Sequence, residues 1–404
     1  MRRDRVAIVG GGLAGLTAAA VAARRGAEVV VFEARETVGG RARSRVRDGV
    51  VFNQGPHGLN PRHGAIEVLA ELGVTVRGTQ PRFGGAYGRL RGSIGLLPST
   101  PRDAIRSRLV GLRAKAQLAS VFSRPQRLLR SDRADRSLQE WIDEHFSDAD
   151  ARAIAMMTGR LTTYVEDLTT LDATAGINQI VAALTDGVLY VDGGWQQLVD
   201  ALRDAAGQAG VKIVTDHKVD TLADLDSSGS VVLAAGGPHH AARLCDGASP
   251  IVDACAEQAR PIRATSLDLA LRRLPQPERR ACMGVDEPFY CSVHTPSAMA
   301  AEGVEVLHAL RYGDAEVDPR PDLEAFLDDA QPGWRREVVH EQYGRRLIVS
   351  YDRPGLSSLR GRAPVSVADL HDVYLAGDWV GSEGMLADAA VLSGRAAALA
   401  ATST

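Results

Sequence analysis

The 404-residue chain has little of what marks several common protein classes. It has four cysteines, none of them in a CxxC pair, and no histidine pair stands near them at the spacing of a zinc site. We therefore expect isolated buried thiols and no metal ion, and the cysteine content does not demand an oxidising compartment. The net charge of −3 gives no general reason to expect a nucleic-acid partner.

Lysine and long apolar runs are also scarce. Only three of the 47 basic residues are lysines, at Lys115, Lys212 and Lys218. After the N-terminal stretch, no apolar run approaches the roughly 18 residues that a membrane-spanning helix needs. With 45% hydrophobic and 24% charged residues the composition is that of a globular protein, and the length predicts two domains.

The N-terminal stretch IVGGGLAGL, residues 8–16, allows two interpretations. A basic start followed by an uncharged run over 6–23 is typical of a secretion signal. A signal, however, needs apolarity and not glycines at fixed spacing. The alternative is the glycine-rich turn of a nucleotide-binding fold, in which a buried strand leads into a helix.

The glycines and a following acid favour the second interpretation. Gly10 permits a tight turn, Gly12 lets backbone N–H groups approach a pyrophosphate, and Gly15 lets the helix pack close to the strand. A helix closed by Gly26 and a second strand then lead to Glu33, which can accept both hydroxyls of an adenosine ribose and would repel a 2′-phosphate. We therefore expect a dinucleotide site, not an NADP site, and a cytoplasmic protein.

Two further motifs carry a resemblance to a known family. EARETVGGRARS continues directly from Glu33, and VYLAGDWVGSEGMLADAAVLSGRAAALA lies close to the C-terminus. With these the sequence resembles the flavin amine oxidase and phytoene desaturase superfamily, to which protoporphyrinogen oxidase-like proteins belong. The resemblance implies non-covalent FAD, with Arg41 near the diphosphate, Asp378 on a ribityl hydroxyl, and a helix N-terminus at the flavin N1–C2 edge.

A third segment, 191–222, resembles the superfamily's return to the FAD domain, with Val219 at the adenine. The fold class expected is α/β, with a Rossmann-like FAD-binding domain assembled from three discontinuous segments and an α+β substrate-binding domain. The boundaries are 1–75, 190–245 and 365–404 for the first, and 76–189 and 246–364 for the second. The cofactor-binding residues implied are Gly10, Gly12, Leu13, Ala14, Gly15, Glu33, Ala34, Arg35, Gly40, Arg41, Gly55, Pro56, Val219, Gly377, Asp378, Met385 and Leu386.

The substrate should lie between the two domains, over the flavin ring. His57 lies in a stretch that resembles the superfamily segment running beside the isoalloxazine ring. It is a candidate proton carrier, or a packed residue that hydrogen-bonds to flavin or backbone. Tyr290, Ser292 and His294 alternate onto one face of a predicted strand, which lines the cavity or packs under a loop. Trp379 and Glu383, beside the C-terminal motif, are candidates to border the site.

At one position this sequence differs from the pattern of the superfamily. Amine-oxidising members place a lysine near flavin N5, and the comparable strand here, TSLDLALRRL at 265–274, has none. This favours a dehydrogenase or desaturase that transfers a hydride from a substrate C–H to flavin N5, acting on a largely apolar small molecule with no required general base. The alternatives are an amine or amino-acid oxidase using O2, a flavin-dependent isomerase or mutase without net redox, and a non-enzymatic FAD-binding protein.

A basic insert at 101–136 carries ten basic residues and three acids. A helical stripe is predicted at Ile105, Leu109, Leu112, Ala116 and Ala119. Three interpretations stay open: a helix with a solvated basic face, a surface for peripheral contact with an anionic membrane, and a patch that steers an anionic substrate. Nucleic-acid binding is disfavoured because stacking aromatics are not interleaved with the charges.

Overall fold

A computed structural model describes residues 5–62, 64–81, 84–130, 135–225, 229–295, 299–300, 303–355 and 362–403. The strands are β1 (Arg5–Val9), β2 (Glu28–Phe32), β3 (Arg45–Arg47), β4 (Val50–Phe52), β5 (Gly78–Thr79), β6 (Tyr87–Leu90), β7 (Ser93–Leu96), β8 (Tyr190–Val191), β9 (Lys212–Val214), β10 (Ser230–Leu233), β11 (Ile262–Leu271), β12 (Ala281–Gly284), β13 (Phe289–Val293), β14 (Glu305–Tyr312), β15 (Val338–Ser350) and β16 (Val373–Leu375). The α-helices are α1 (Leu13–Arg24), α2 (Ala65–Glu71), α3 (Pro101–Arg106), α4 (Leu112–Phe122), α5 (Leu138–His145), α6 (Ala149–Thr163), α7 (Ala173–Asp186), α8 (Gln196–Gln208), α9 (Pro238–Cys245), α10 (Pro250–Gln258), α11 (Arg320–Ala330) and α12 (Leu386–Ala401).

A parallel five-stranded sheet, in the order β16-β10-β1-β2-β9, forms the first half of the molecule. Its short β-branched strands are buried because helices cover both faces. One face packs against α1, α8 and α12, and the other against α9 and α10. Each strand had been predicted from its apolar run, and the α/β class with a Rossmann-like sheet of discontinuous segments is confirmed.

The two ends of the chain meet in this half. Helices α1 and α12 cross so closely that a Cβ on Gly394 would lie 2.4 Å from the carbonyl oxygen of Ala14. The Nε of Arg25 also donates to the Oγ1 of Thr402 across the same pair of helices, at 2.7 Å. Residues far apart in sequence therefore reach one edge of the parallel sheet.

A second sheet of seven strands, in the order β15-β11-β14-β13-β12-β6-β7, forms the other half. Its pairs are antiparallel except β12 with β6. Helix α11 packs on one side through Phe326, and α4 to α7 form a separate core around Trp141 and Phe146. The strands of the two sheets fall within the two sets of segments expected for two domains, while the exact boundaries stay a prediction.

The basic insert differs from its prediction. The chain forms two helices, α3 and α4, because residues 107–111 leave the helical path. The core contact of α4 is made by Ala114 and Leu118. Of the predicted stripe, Leu109 packs against the same core, while Leu112, Ala116 and Ala119 face outward, and Ile105 and Leu112 are among the most exposed apolar side chains. A period of 3.6 identifies an apolar face but not the side on which the core lies. Residues 131–134 of the insert lie outside the described residues.

All four cysteines are free, and Cys245, Cys282 and Cys291 are buried, as expected. No helix in the described ranges is both long enough and apolar enough to cross a bilayer.

Candidate functional site

A cavity of about 890 Å³ begins at the carboxyl ends of β1 and β2 and continues to the second sheet. This is the edge at which ligands bind in open parallel sheets. Every residue predicted to bind the cofactor lines the cavity except Gly15 and Met385. The sequence motifs from both ends of the chain therefore converge on one site.

The first glycine turn is shaped for close approach. Gly10 has a φ of 107°, and a Cβ there would lie 2.7 Å from the backbone of Ala235. A Cβ on Gly12 would meet no atom within 4 Å, so this glycine leaves space over the start of α1. Gly15 does not line the cavity but lies against the turn, where a Cβ would be 1.9 Å from the carbonyl oxygen of Gly10. It allows helix α1 to pack on the turn, as predicted.

The N-terminus of α1 has no side-chain cap. Its first N–H groups are therefore available to an acceptor, and the helix dipole makes that acceptor preferably anionic. Glu33, at the end of β2, is held by backbone donors: its Oε2 accepts from Gly11 N at 2.8 Å and its Oε1 from Arg35 N at 3.0 Å. Each oxygen has a further lone pair, which suits a diol.

An ion pair joins the two distant motifs at the cavity. The Nη1 of Arg41 donates to the Oδ2 of Asp378 at 2.8 Å and to the carbonyl oxygen of Val349 at 2.8 Å, and the guanidinium lies 4.5 Å from the ring centroid of Tyr351. Burial by itself lowers the pKa of Arg41, but the charge and hydrogen bond of Asp378 raise that pKa above its usual value. Arg41 therefore stays charged.

Asp378 is only 3% exposed, and its second oxygen, Oδ1, is buried without a hydrogen-bond partner among the described residues. An orphaned carboxylate oxygen at a cavity wall is costly unless a ligand donates to it. The indole Nε1 of Trp195, on the same wall, is likewise buried without a described partner. The cavity thus presents both an acceptor and a donor that no described part of the chain satisfies.

The N-terminus of α12 lies beside this ion pair. Its N-cap, Met385, provides no side-chain hydrogen bond, while Leu386 and Ala390 line the cavity. Leu386 has a φ of 55°, a left-handed conformation that costs a non-glycine residue about 1–3 kcal/mol. The resemblance implies that the flavin N1–C2 edge lies at the positive end of this helix, which stays a prediction.

The part of the cavity next to the second sheet has an apolar and aromatic wall. Apolar and aromatic residues of the second half that line it are Tyr164, Ala264, Leu310, Leu347, Ile348 and Val349, and Arg263 and Arg346 line the cavity as well. Tyr164 reaches the cavity from the C-cap of α6, with a φ of 61°, and its hydroxyl donates to the carbonyl oxygen of Pro56 at 3.4 Å.

His57 lines the same region, as predicted. Its Nδ1 lies 2.8 Å from the carbonyl oxygen of Gly55, to which it donates, and its ring meets Trp195 edge-on at 4.8 Å. Burial lowers the pKa of His57, so the ring is neutral near pH 7. A fixed neutral imidazole is therefore part of the wall.

A buried polar network supports the loop that carries His57. The carboxylate of Asp268, on β11, accepts from Gly55 N, from Gln342 Nε2 and from the ring of His308 at 2.8–3.3 Å, and from Ser266 Oγ. The amide of Gln342 also donates to the carbonyl oxygen of Asn53 at 2.7 Å. This carboxylate, on the strand where a lysine was sought, holds the loop against the second sheet.

Five candidates for the substrate site do not line the cavity. Tyr290 is buried behind Tyr164, whose hydroxyl lies 3.3 Å from its own, and His294 stacks on Tyr190 with ring centroids 3.7 Å apart. Trp379 is buried in the core beneath the parallel sheet. Ser292 joins His294 by a hydrogen bond of 3.1 Å, so the face predicted on β13 exists but packs inside the domain. Glu383 is exposed and lies off the cavity.

Several lining residues were not predicted. At the end near Val219 they are His217, Lys218, the loop 234–237 after β10, and His239, His240 and Arg243 of α9. Near Asp378 they include Val349 and Tyr351. The two glycines that follow β10, at 236–237, were a usable signal, because they sit at the carboxyl end of a third parallel strand. The residues of β15 that line the cavity had no such signal in the sequence, because only the tertiary fold brings them near the site.

Comparison with known proteins identifies sequence relatives of the chain. Residues 13–246, more than half of the chain, match the sequence family described as flavin containing amine oxidoreductase. Over 146 residues the chain is 30% identical to the mitochondrial protoporphyrinogen oxidase of Nicotiana tabacum, a match covering 35% of this chain and 29% of that protein. It is 37% identical over 76 residues to hydroxyneurosporene desaturase of Rubrivivax gelatinosus, covering 19% and 14%.

The fold has solved counterparts. The structure of cyclohexylamine oxidase from Brevibacterium oxydans superposes with a TM-score of 0.73 at 18% identity and covers 99% of both chains. At this identity the likeness concerns the fold. The sequence matches reach less than a third of the length of the two curated relatives.

Proposed function

Since the chain belongs to the flavin-containing amine oxidoreductase family and therefore has a flavin cofactor, we propose that it is an FAD-dependent dehydrogenase of the desaturase type. Its substrate is a largely apolar small molecule that loses a hydride from a C–H bond to the cofactor and a proton from the adjacent carbon or nitrogen to solvent. An external acceptor then reoxidises the cofactor. The product carries a new C=C or C=N bond.

The residues of the cavity fit FAD, bound non-covalently. The turn from Gly10 to Gly12 and the open N-terminus of α1 suit a diphosphate, Glu33 suits a ribose diol, and the orphaned Oδ1 of Asp378 suits a ribityl hydroxyl. A site for FMN would not need the ribose acid and the lining near Val219. No cysteine is among the described residues of the cavity wall, which supports non-covalent binding.

A bound flavin would supply the hydride acceptor, at N5, and the side chains of the cavity would hold the substrate against it. Tyr164, Leu310 and Leu347 bind and orient an apolar substrate while excluding water. His57, fixed by Gly55 and neutral, adds no charge to this wall. The Asp268 network holds the loop in place, and the N-terminus of α12 stabilises negative charge that develops on the ring.

One observation favours this reaction over amine oxidation: the wall near the second sheet has no unpaired carboxylate and no lysine. Among the described lining residues the only acids are Glu33, held by backbone N–H groups, and Asp378, paired with Arg41. The only lysine is Lys218, at the opposite end. A protonated amine would therefore leave water without gaining a counter-charge, which is costly in a buried site.

The experiment is a visible spectrum of the purified protein followed by anaerobic reduction. We expect a yellow protein, release of FAD on acid precipitation, and bleaching by one class of apolar C–H donor. An amine panel should not bleach it or yield peroxide. Bleaching by amines with peroxide release would instead establish an oxidase, and turnover only after prior reduction, without an acceptor, would establish an isomerase. A colourless protein that does not take up FAD would contradict the proposal altogether.

A further inference from the structure

The segment 101–130, called here the basic face, concentrates positive charge in a chain that is slightly acidic overall. It holds eight basic residues and one acid, whereas the whole chain has a net charge of −3. The acid, Asp103, is buried and accepts hydrogen bonds from Gly85 N and Thr100 Oγ1, so it is committed to the fold. The basic residues are Arg102, Arg106, Arg108, Arg113, Lys115, Arg124, Arg127 and Arg130.

These charges are not neutralised within the described parts of the chain. None of the eight takes part in an ion pair there, whereas many arginines elsewhere do, such as Arg89 and Arg320. The seven arginines are exposed, and Lys115 donates to the carbonyl oxygen of Ser107. Unpaired like charges concentrated in one exposed segment repel each other, so the basic face is suited to an anionic partner.

Apolar side chains stand among these charges and face water. Ile105 is 86% exposed and Leu112 is 83% exposed. On α4, Leu112, Ala116 and Ala119 share one exposed side, at helical spacing, while Ala114 and Leu118 on the opposite side make the core contact. Arg113 and Lys115 lie on either flank of the exposed apolar side, which is the arrangement of a helix at a lipid interface.

We propose that the basic face binds the surface of an anionic lipid bilayer. Ile105 and Leu112 enter the boundary between headgroups and acyl chains, and the arginines contact the anionic headgroups. Binding to such a bilayer is favoured twice, because the exposed apolar side chains leave water and the basic side chains pair with anionic headgroups. This attachment is peripheral, and it is independent of the reaction at the flavin site.

Other occupants fit the observations less well. A second copy of the chain meeting the same face would oppose two sets of eight unpaired cations. Single-stranded nucleic acid would be matched by charge, but it binds on stacking aromatics, and Phe122, the one aromatic of the segment, is partly buried against the core. Neither alternative uses the exposed isoleucine and leucine.

The test is co-sedimentation of the flavin-loaded protein with vesicles of phosphatidylcholine containing about a third phosphatidylserine, against pure phosphatidylcholine. We expect binding to the anionic vesicles that weakens as salt rises. Neutralising Arg106, Arg108 and Arg113 to Gln should lower the partition coefficient by about fivefold per arginine. Replacing Ile105 and Leu112 by Ser should lower it by roughly tenfold per side chain.

The matched control is Val317→Ser, which removes a side chain that is 81% exposed elsewhere on the surface and should leave binding unchanged. Flavin absorbance of each variant reports whether it is folded. The proposal is overturned by equal binding to neutral vesicles, by variants that bind as tightly as the parent, or by a self-association that the arginine variants abolish. Tighter binding to an oligonucleotide than to anionic vesicles would also overturn it.

Discussion

Gly394→Ala tests the idea that the two ends of the chain must pack closely to build the site. Gly394 lies inside α12, and a Cβ there would be 2.4 Å from the carbonyl oxygen of Ala14, with two more backbone atoms of Ala14 at 3.1 and 3.2 Å. A relaxed contact needs about 3.5 Å, so the helices must move apart by about 1 Å. All three obstructing atoms belong to the backbone of α1, which cannot yield by a rotamer change.

The magnitude follows from two opposing effects. Overpacking costs roughly 1–3 kcal/mol, while alanine gains up to about 1 kcal/mol over glycine inside a helix. We therefore expect Gly394→Ala to be destabilised by about 1–2 kcal/mol. Flavin retention should fall as well, because Ala14 lines the cavity from one helix and Leu386 and Ala390 from the other.

Gly207→Ala is the matched control. Gly207 lies in α8, and a Cβ there would meet no atom within 4 Å. The same substitution should stabilise the protein by up to about 1 kcal/mol, and flavin content should not change. Thermal unfolding followed by circular dichroism, with flavin absorbance measured on the same samples, gives both readouts. The reasoning is refuted if Gly394→Ala is as stable as Gly207→Ala and keeps its flavin.

Three other predictions concern the site and the core. Glu33→Gln and Asp378→Asn should each weaken FAD binding by roughly tenfold to a hundredfold, because each variant loses a charged hydrogen-bond acceptor. Flavin occupancy is read from the ratio of flavin to protein absorbance after dialysis. Normal occupancy in both variants would contradict the placement of the cofactor. Asp268→Asn should destabilise the protein by about 1–3 kcal/mol in urea titration, because an amide cannot accept from all four donors; Asp204→Asn, at an exposed pair with Arg203, should have little effect. Burial raises the pKa of Cys245 to about 11 and that of Cys282 to about 12. At pH 8, therefore, only about one Cys245 thiol in a thousand is ionised. The native protein should react with at most one equivalent of Ellman's reagent quickly, through the half-buried Cys255, and the denatured protein should react with four.

Local constraints explain what the sequence could predict. Gly10 and Gly15 were identifiable because each position excludes a Cβ for a reason confined to one turn, and the structure shows these exclusions at 2.7 and 1.9 Å. Glu33 and Asp378 were identifiable because each follows a short buried strand of the parallel sheet. Such residues belong to motifs whose spacing reflects the geometry of one strand and its turn.

Contacts made only by the tertiary fold were not predictable. Tyr164 reaches the cavity because α6 ends there with a left-handed residue, and its partner Pro56 is 108 residues away. Asp268 looked like one polar residue in an apolar strand, and its role came from donors on three other segments. The stripe on α4 had the right period, but the sequence did not say whether this side meets the core or water, since periodicity does not say where neighbouring helices lie.

The architecture ties cofactor binding to the integrity of the whole parallel sheet. The cavity takes its wall from the turn after β1, from Val219 near β9, and from Asp378 after β16, so no single segment contains a site. A ligand that binds only the folded state stabilises that state by mass action. Here that gain is shared by segments from both ends of the chain, because Arg41 and Asp378 form one ion pair at the cavity. We therefore expect loss of the flavin to loosen α1 and α12 together, because these helices cross closely at Gly394. Amide hydrogen exchange that rises in one of the two helices only, on removal of the flavin, would contradict this.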